Sequence, residues 1–85
     1  MTSSTTPSFW RAYKALPDRI KTDARKSYQL WKDNPRHPSL RFERKGDYRS
    51  VRISRGWRAL AREHEGTLYW FWIGSHDEYE RLLKK

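Results

Sequence analysis

Hydrophobic residues first recur along this chain with a helical period. From Ser8 to Leu16, Phe9, Tyr13 and Leu16 fall at i, i+4 and i+7, one apolar stripe of a short helix with Pro7 near its start. A second helix is predicted after Pro17 and Asp18. Its stripe is Ile20, Ala24, Tyr28 and Trp31, and Asn34 and Pro35 end it. Almost no linker separates the two stripes, so they read as a helical hairpin that offers one apolar surface to another layer.

After Pro38 the period changes to two. Leu40 and Phe42 alternate with Arg41 and Glu43 in a strand from Leu40 to Arg44; Val51 and Ile53 alternate with Ser50, Arg52 and Ser54 in a strand from Ser50 to Ser54. Gly46 and Asp47 suit the turn between them, and Gly56 the next one. Trp57 to Glu63 continues the pattern, with Trp57, Ala59 and Ala61 on one face and Arg58, Leu60 and Arg62 on the other. Glu65 and Gly66 turn the chain into Leu68 to Ile73. That strand is apolar throughout, as expected of a central strand covered on both sides. Ser75 and Glu78 form a capping box that starts a short helix at His76, with acidic residues at its beginning and Arg81, Lys84 and Lys85 at its end. The Thr/Ser-rich start is read as a first edge strand or a frayed end, the strand preferred. The expected fold is α+β: a helical hairpin on one face of a small antiparallel sheet, with a short C-terminal helix. Trp31, Trp57 and Phe71 are expected to be buried between the layers.

Composition narrows the class. Eighty-five residues suit a single domain, 1–85, in which only around 60% of the unfolded surface is buried, so five Trp, five Tyr and three Phe must supply much of the core. Cysteine is absent, which excludes a disulfide framework or thiolate metal site and fits a reducing cytoplasm. Neither a secretory signal nor a membrane span is visible, so a soluble cytoplasmic protein is expected.

Charge is the strongest compositional feature. Nineteen Lys and Arg stand against ten Asp and Glu, a net +9, and twelve of the nineteen are Arg, whose forked guanidinium matches phosphate oxygens and stacks on bases. From Arg36 to Arg62, eight Arg and one Lys face only Glu43 and Asp47, so +7 of the charge falls on the predicted sheet. Alternation gathers Arg52, Arg58 and Arg62 on the face turned away from the helices. This reads as a polyanion-binding surface or, more blandly, as a solvated strand face.

The run Tyr48-Arg49-Ser50-Val51-Arg52-Ile53, then Gly56-Trp57-Arg58-Ala59-Leu60, then an apolar strand ending Ile73-Gly74-Ser75-His76 resembles the core of the RelE/ParE toxins. The Gly-aromatic-Arg step is similar to their Gly-Tyr-Arg, and Gly-Ser-His resembles the end of the YafQ branch. The likeness runs roughly from Ser8 to Leu83. It implies the toxin of a toxin–antitoxin pair, a ribosome-dependent mRNA endoribonuclease that inhibits translation, with a cognate antitoxin, mRNA and the ribosome as partners and with neither cofactor nor metal. Such enzymes drive the ribose 2′-hydroxyl onto the neighbouring phosphate, which needs a base, an acid and a cation.

By this resemblance Arg58 is the cation and Arg52 binds the flanking phosphate or assists proton transfer. His76 is the proton-transfer residue; its place in a first helical turn favours a neutral ring. Tyr79, three residues on, stacks on a base or donates a proton, or else is plain helix packing with Leu82 and Leu83. Arg44, Lys45, Arg49, Arg55 and Arg62 hold RNA. Asp77, Glu78 and Glu80 surround His76 with negative charge, unlike many RelE relatives, and Glu43 is an alternative base. The ParE branch has the same fold without nuclease chemistry and poisons DNA gyrase, so a non-enzymatic gyrase inhibitor or basic RNA-binding module is the alternative.

Overall fold

A computed structural model describes residues 2–84. The elements are β1 (Thr2–Thr5), α1 (Pro7–Lys14), α2 (Asp18–Asp33), a 3-10 turn (Pro38–Leu40), β2 (Glu43–Lys45), β3 (Tyr48–Ser54), β4 (Trp57–His64), β5 (Thr67–Ser75) and α3 (His76–Leu83). Five strands form one sheet in the order β1-β5-β4-β3-β2. The fold is α+β, as expected, and the Thr/Ser-rich start is a strand.

The sheet is mixed rather than purely antiparallel. β1 runs parallel to β5, with Thr5 opposite Trp70, while the other three pairings are antiparallel. Thr6 turns the chain out of that pairing. Its amide donates to the Trp70 carbonyl at 3.1 Å, and its hydroxyl accepts the Phe9 amide at 3.3 Å, capping α1 directly before Pro7.

Leu16, Ile20, Ala24 and Trp31 from the helical hairpin pack against Val51, Ala59, Ala61, Leu68, Trp70 and Ile73 from the sheet. The Trp31 ring meets Trp70 edge to face, with centroids 5.6 Å apart. Tyr28, expected on the same stripe, lies at its margin, 39% exposed and stacked beside Trp31.

Two strand readings need correction. The predicted strand Leu40–Arg44 begins only at Glu43. Pro38 and the His37 ring, whose Nδ1 accepts the Ser39 amide at 3.2 Å, start a 3-10 turn, and Arg41 adopts a left-handed φ of 45°. Leu40 and Phe42 still reach the core, carried by a turn instead of a pleat. The second correction concerns Trp57 and Phe71. Trp57 packs against the core on its expected face but is only half-buried, whereas Phe71 lies on the opposite face against Tyr48, 5.3 Å away between centroids.

A β-bulge accounts for Phe71. Leu60 faces Trp72 but Ala61 faces Trp70, so Phe71 has no partner on β4. The core residues of β5 are therefore Leu68, Trp70 and Ile73, spaced two and then three. β5 is an interior strand that contacts α1 on one side of the sheet and α3 on the other. Among the described residues, no helix is long and apolar enough to cross a membrane.

Candidate functional site

Pairing in the sheet places one row of residues on the face away from the helical hairpin. Val51, Ala59 and Ile73 lie opposite one another and point into the core, so the next row, Arg52, Arg58 and Gly74, points outward. Two guanidinium groups thus face each other across β3 and β4. The Arg58 Nη1 donates to the carbonyls of Trp57 at 2.9 Å and Ser54 at 3.2 Å, which holds it over the β3–β4 turn. Partial burial pushes the Arg58 pKa below its ordinary value, and the charge of Arg52 lowers it further, with a smaller contribution from Arg41. Tyr79 and Glu43 act in the opposite direction. The arrangement concentrates positive charge where an anion would relieve the repulsion.

Gly74 completes the row because the Trp72 ring lies over it. A Cβ on Gly74 would come within 2.5 Å of Trp72 Cζ2, closer than carbon atoms approach without a shift. The chain then enters α3 through a tight join. The His76 amide donates to the Gly56 carbonyl at 2.8 Å, and the Ser75 hydroxyl accepts the Glu78 amide at 3.3 Å. The Glu78 carboxylate reaches back to that hydroxyl, at 3.2 Å, closing the capping box through the side chain of Ser75. These bonds fix the start of α3 beside the β3–β4 turn.

His76 and Tyr79 lie side by side, ring centroids 5.5 Å apart. His76 is half-buried, with its Nε2 3.4 Å from the Glu80 carboxylate one turn along the helix. Tyr79 is buried, 5% exposed. On the edge strand, the Lys45 ammonium sits 3.3 Å from Glu43, whose hydrogen bond and charge hold the Lys45 pKa above its ordinary value; Tyr79 and Glu80 contribute as well. Arg52, Arg58, His76 and Tyr79, distant in the chain, therefore share one corner of the sheet with Glu43, Lys45 and Glu80.

The five residues assigned to RNA holding divide. Arg62 and Lys45 share the outer face. The Arg62 guanidinium lies 5.2 Å from the Tyr48 ring centroid and 5.8 Å from that of Phe71, a cation held over aromatic faces. Arg55 is exposed at the tip of the β3–β4 hairpin. Arg44 and Arg49, opposite each other in β2 and β3, lie on the other face of the sheet; Arg49 is engaged by Glu63 at 2.8 Å and Arg44 by the Gly46 carbonyl at 3.2 Å. Arg41, not singled out from the sequence, stands within charge range of Arg58, brought there by its left-handed backbone. Among the described residues, no three His, Asp or Glu side chains gather as metal ligands do.

Several solved structures have this fold. YafQ from Escherichia coli strain BL21(DE3) superposes with a TM-score of 0.70 at 14% identity, covering 91% of this chain and 94% of its own. The YoeB/ParE toxin from Agrobacterium tumefaciens gives 0.65 at 24% identity over 89% and 99%. The RelB–RelE antitoxin–toxin complex from Methanococcus jannaschii gives 0.66 at 13% over 92% and 95%. No curated protein matches in sequence. The ParE-like toxin domain matches residues 18–81, from the start of α2 into α3. With three-quarters of its length inside that match, this chain belongs to the ParE-like toxin domain family, and it has the fold of the RelE, YafQ and YoeB/ParE toxins.

Proposed function

We propose that this protein is a cytoplasmic mRNA endoribonuclease that acts on the ribosome and is neutralised by a cognate antitoxin. One observation carries the reading: two opposed guanidinium groups, Arg52 and Arg58, stand beside a His76–Tyr79 pair fixed at a helix start. Charge repulsion within the pair is relieved when a phosphate binds, and relieved further as negative charge builds on a phosphorane. The 2′-oxygen attacks the adjacent phosphorus, its proton passes to a base, and the bond to the 5′-oxygen breaks as an acid supplies a proton there.

In this reading Arg58 stabilises the phosphorane, while Arg52 holds the flanking phosphate or assists proton transfer. His76 moves the proton, oriented by Glu80. Tyr79 is too buried to offer a face to a base, so its part lies in supporting the His76 ring and in its hydroxyl. Two of the nearby carboxylates are already engaged. Glu43 is paired with Lys45, and Glu78 is turned onto Ser75. Arg62, Lys45 and Arg55 hold the RNA chain, whereas Arg44 and Arg49 make internal contacts.

The test is mRNA cleavage on programmed ribosomes, read by primer extension, with ribosome affinity and toxicity on induction measured beside it. Arg58→Ala is expected to lower cleavage by about 10²-fold or more, and His76→Gln by roughly 10² to 10⁴-fold, while affinity falls far less. A second reading, a non-enzymatic ParE-like gyrase inhibitor, is favoured by the Glu80 carboxylate at His76. It takes over if the wild type cuts nothing and blocks gyrase supercoiling, or if both variants remain fully toxic.

A further inference from the structure

The outer surface of α1 carries an aromatic group that the site on the open face leaves unused. Trp10 is 46% exposed, the most exposed of the large hydrophobic side chains, yet it is held firmly. Its Nε1 donates to the Thr5 hydroxyl at 2.9 Å, and its ring meets Phe9 and Tyr13 edge to face, each 5.2 Å away between centroids. Phe9 is itself packed against the core.

Cations surround this aromatic step. The Arg25 Nη1 donates to the Tyr13 hydroxyl at 2.6 Å, and the Lys21 ammonium sits 5.9 Å from the Tyr13 ring centroid. Lys14 lies one helical turn beyond Trp10, and Arg11 is its neighbour; both are exposed. Between Pro7 and Lys26 six Lys and Arg stand against two Asp. Of those two, Asp18 lies 3.9 Å from Lys21, and Asp23 projects from the side of α2 away from Lys21 and Arg25.

We propose that this face of α1 and α2 is a second nucleic-acid surface, on which Trp10 stacks an unpaired base of a single strand while Arg11, Lys14, Lys21 and Arg25 meet its phosphates. An exposed ring fixed on three sides loses little freedom when a base covers it. Base-on-aromatic stacking beside clustered cations is how sequence-tolerant single-strand binding is built. A protein partner would find mostly charge beside the aromatic rings here: Arg11 and Lys14, both exposed, follow Trp10 along α1, and the exposed Arg25 is bound to the adjacent Tyr13. The surface lies across the sheet from Arg52 and Arg58. A single RNA thus has two separate holds on the protein, and each raises the effective concentration of the other.

The experiment measures binding of the full chain to a fluorescein-labelled oligodeoxythymidylate, which lacks the 2′-hydroxyl and is not cut whatever the open face does. Anisotropy is read for the wild type, Trp10→Ala, Trp10→Phe and Lys14→Gln, each checked by circular dichroism. Trp10→Ala is expected to weaken binding by about 5- to 100-fold, the value of one stacked base. Trp10→Phe should lose less, because a ring remains. A duplex of equal length, whose bases are already stacked, should bind all the variants with little change except for a modest loss at Lys14→Gln. Should Trp10→Ala fail to fold, Trp10→Phe and Lys14→Gln report on the same surface. Unchanged single-strand affinity across the folded variants overturns the proposal. So does an equal loss on duplex and single strand for Trp10→Ala, or a wild-type dimer that becomes a monomer on Trp10→Ala, which would assign the face to a second copy of the chain.

Discussion

Replacing Arg52 with Gln should make the protein more stable and less active. Arg52 is half-buried and directly opposite Arg58, and among the described residues no carboxylate pairs with it. Like charges facing each other across two strands cost roughly 0.2–1 kcal/mol, and solvent screening at this half-exposed site favours the lower part of that range. Gln keeps most of the length of the side chain and removes its charge. In a domain of this size 1 kcal/mol shifts the melting temperature by about 4–8 °C, so a rise of roughly 1–6 °C follows. The same substitution deletes a charged hydrogen-bond donor to phosphate, worth about 1.5–3 kcal/mol, which is roughly 10- to 150-fold in binding or cleavage. Thermal unfolding at low salt and near 1 M, where the screening length falls to about 3 Å, separates the causes, since the gain must shrink with salt. A melting temperature that falls, or a gain that persists undiminished at 1 M, would refute the opposed-cation argument.

Core and face assignments give further tests. Trp31→Ala or Trp70→Ala should cost about 3–5 kcal/mol, while Phe71→Ala, which removes a half-buried ring from the other face, should cost less; denaturant unfolding measures all three, and equal losses would contradict the bulge. Gly74→Ala should cost about 1–3 kcal/mol because the new methyl meets the Trp72 ring, and pairing it with Trp72→Leu should restore most of the loss. With Lys45, Arg52, Arg55, Arg58 and Arg62 as five phosphate partners, affinity of the open face for single-stranded RNA should fall with salt at a log–log slope of about −3.5. These five add to whatever the α1–α2 face contributes, so a total slope near zero would mean that the arginines face solvent.

Elements with a strong local cause were legible. The apolar stripes gave both helices, and Ser75 with Glu78 marked the start of α3 at His76. Parity along β3 and β4 put Arg52, Arg58 and Arg62 on one face. The same parity placed Arg49 with Val51 and Ile53 on the other, a signal that a count of charge over the whole stretch ignores. Arg44 was obscured because its strand starts later than the alternation of Leu40 and Phe42 suggests, and a turn buries those two as well as a strand would. The parallel pairing of β1 depends on contacts more than sixty residues away, for which Thr2 to Thr5 carry no local mark.

The bulge in β5 ties the core to the proposed chemistry. Strict alternation from Leu68 would send Trp70, Trp72 and Gly74 towards the helical hairpin, and Ile73 and Ser75 to the open face. One extra residue at Phe71 reverses the phase, so that Ile73 enters the core while Trp72 and Gly74 turn outward. Only in that phase does Gly74 stand opposite Arg58, and only then does α3 leave the sheet on the face that carries Arg52 and Arg58. The bulge also explains why an unbroken apolar run serves here: Leu68, Trp70 and Ile73 feed one face, Phe71 and Trp72 the other, and no alternation could supply both. The position of the candidate site therefore depends less on any single arginine than on where β5 changes phase.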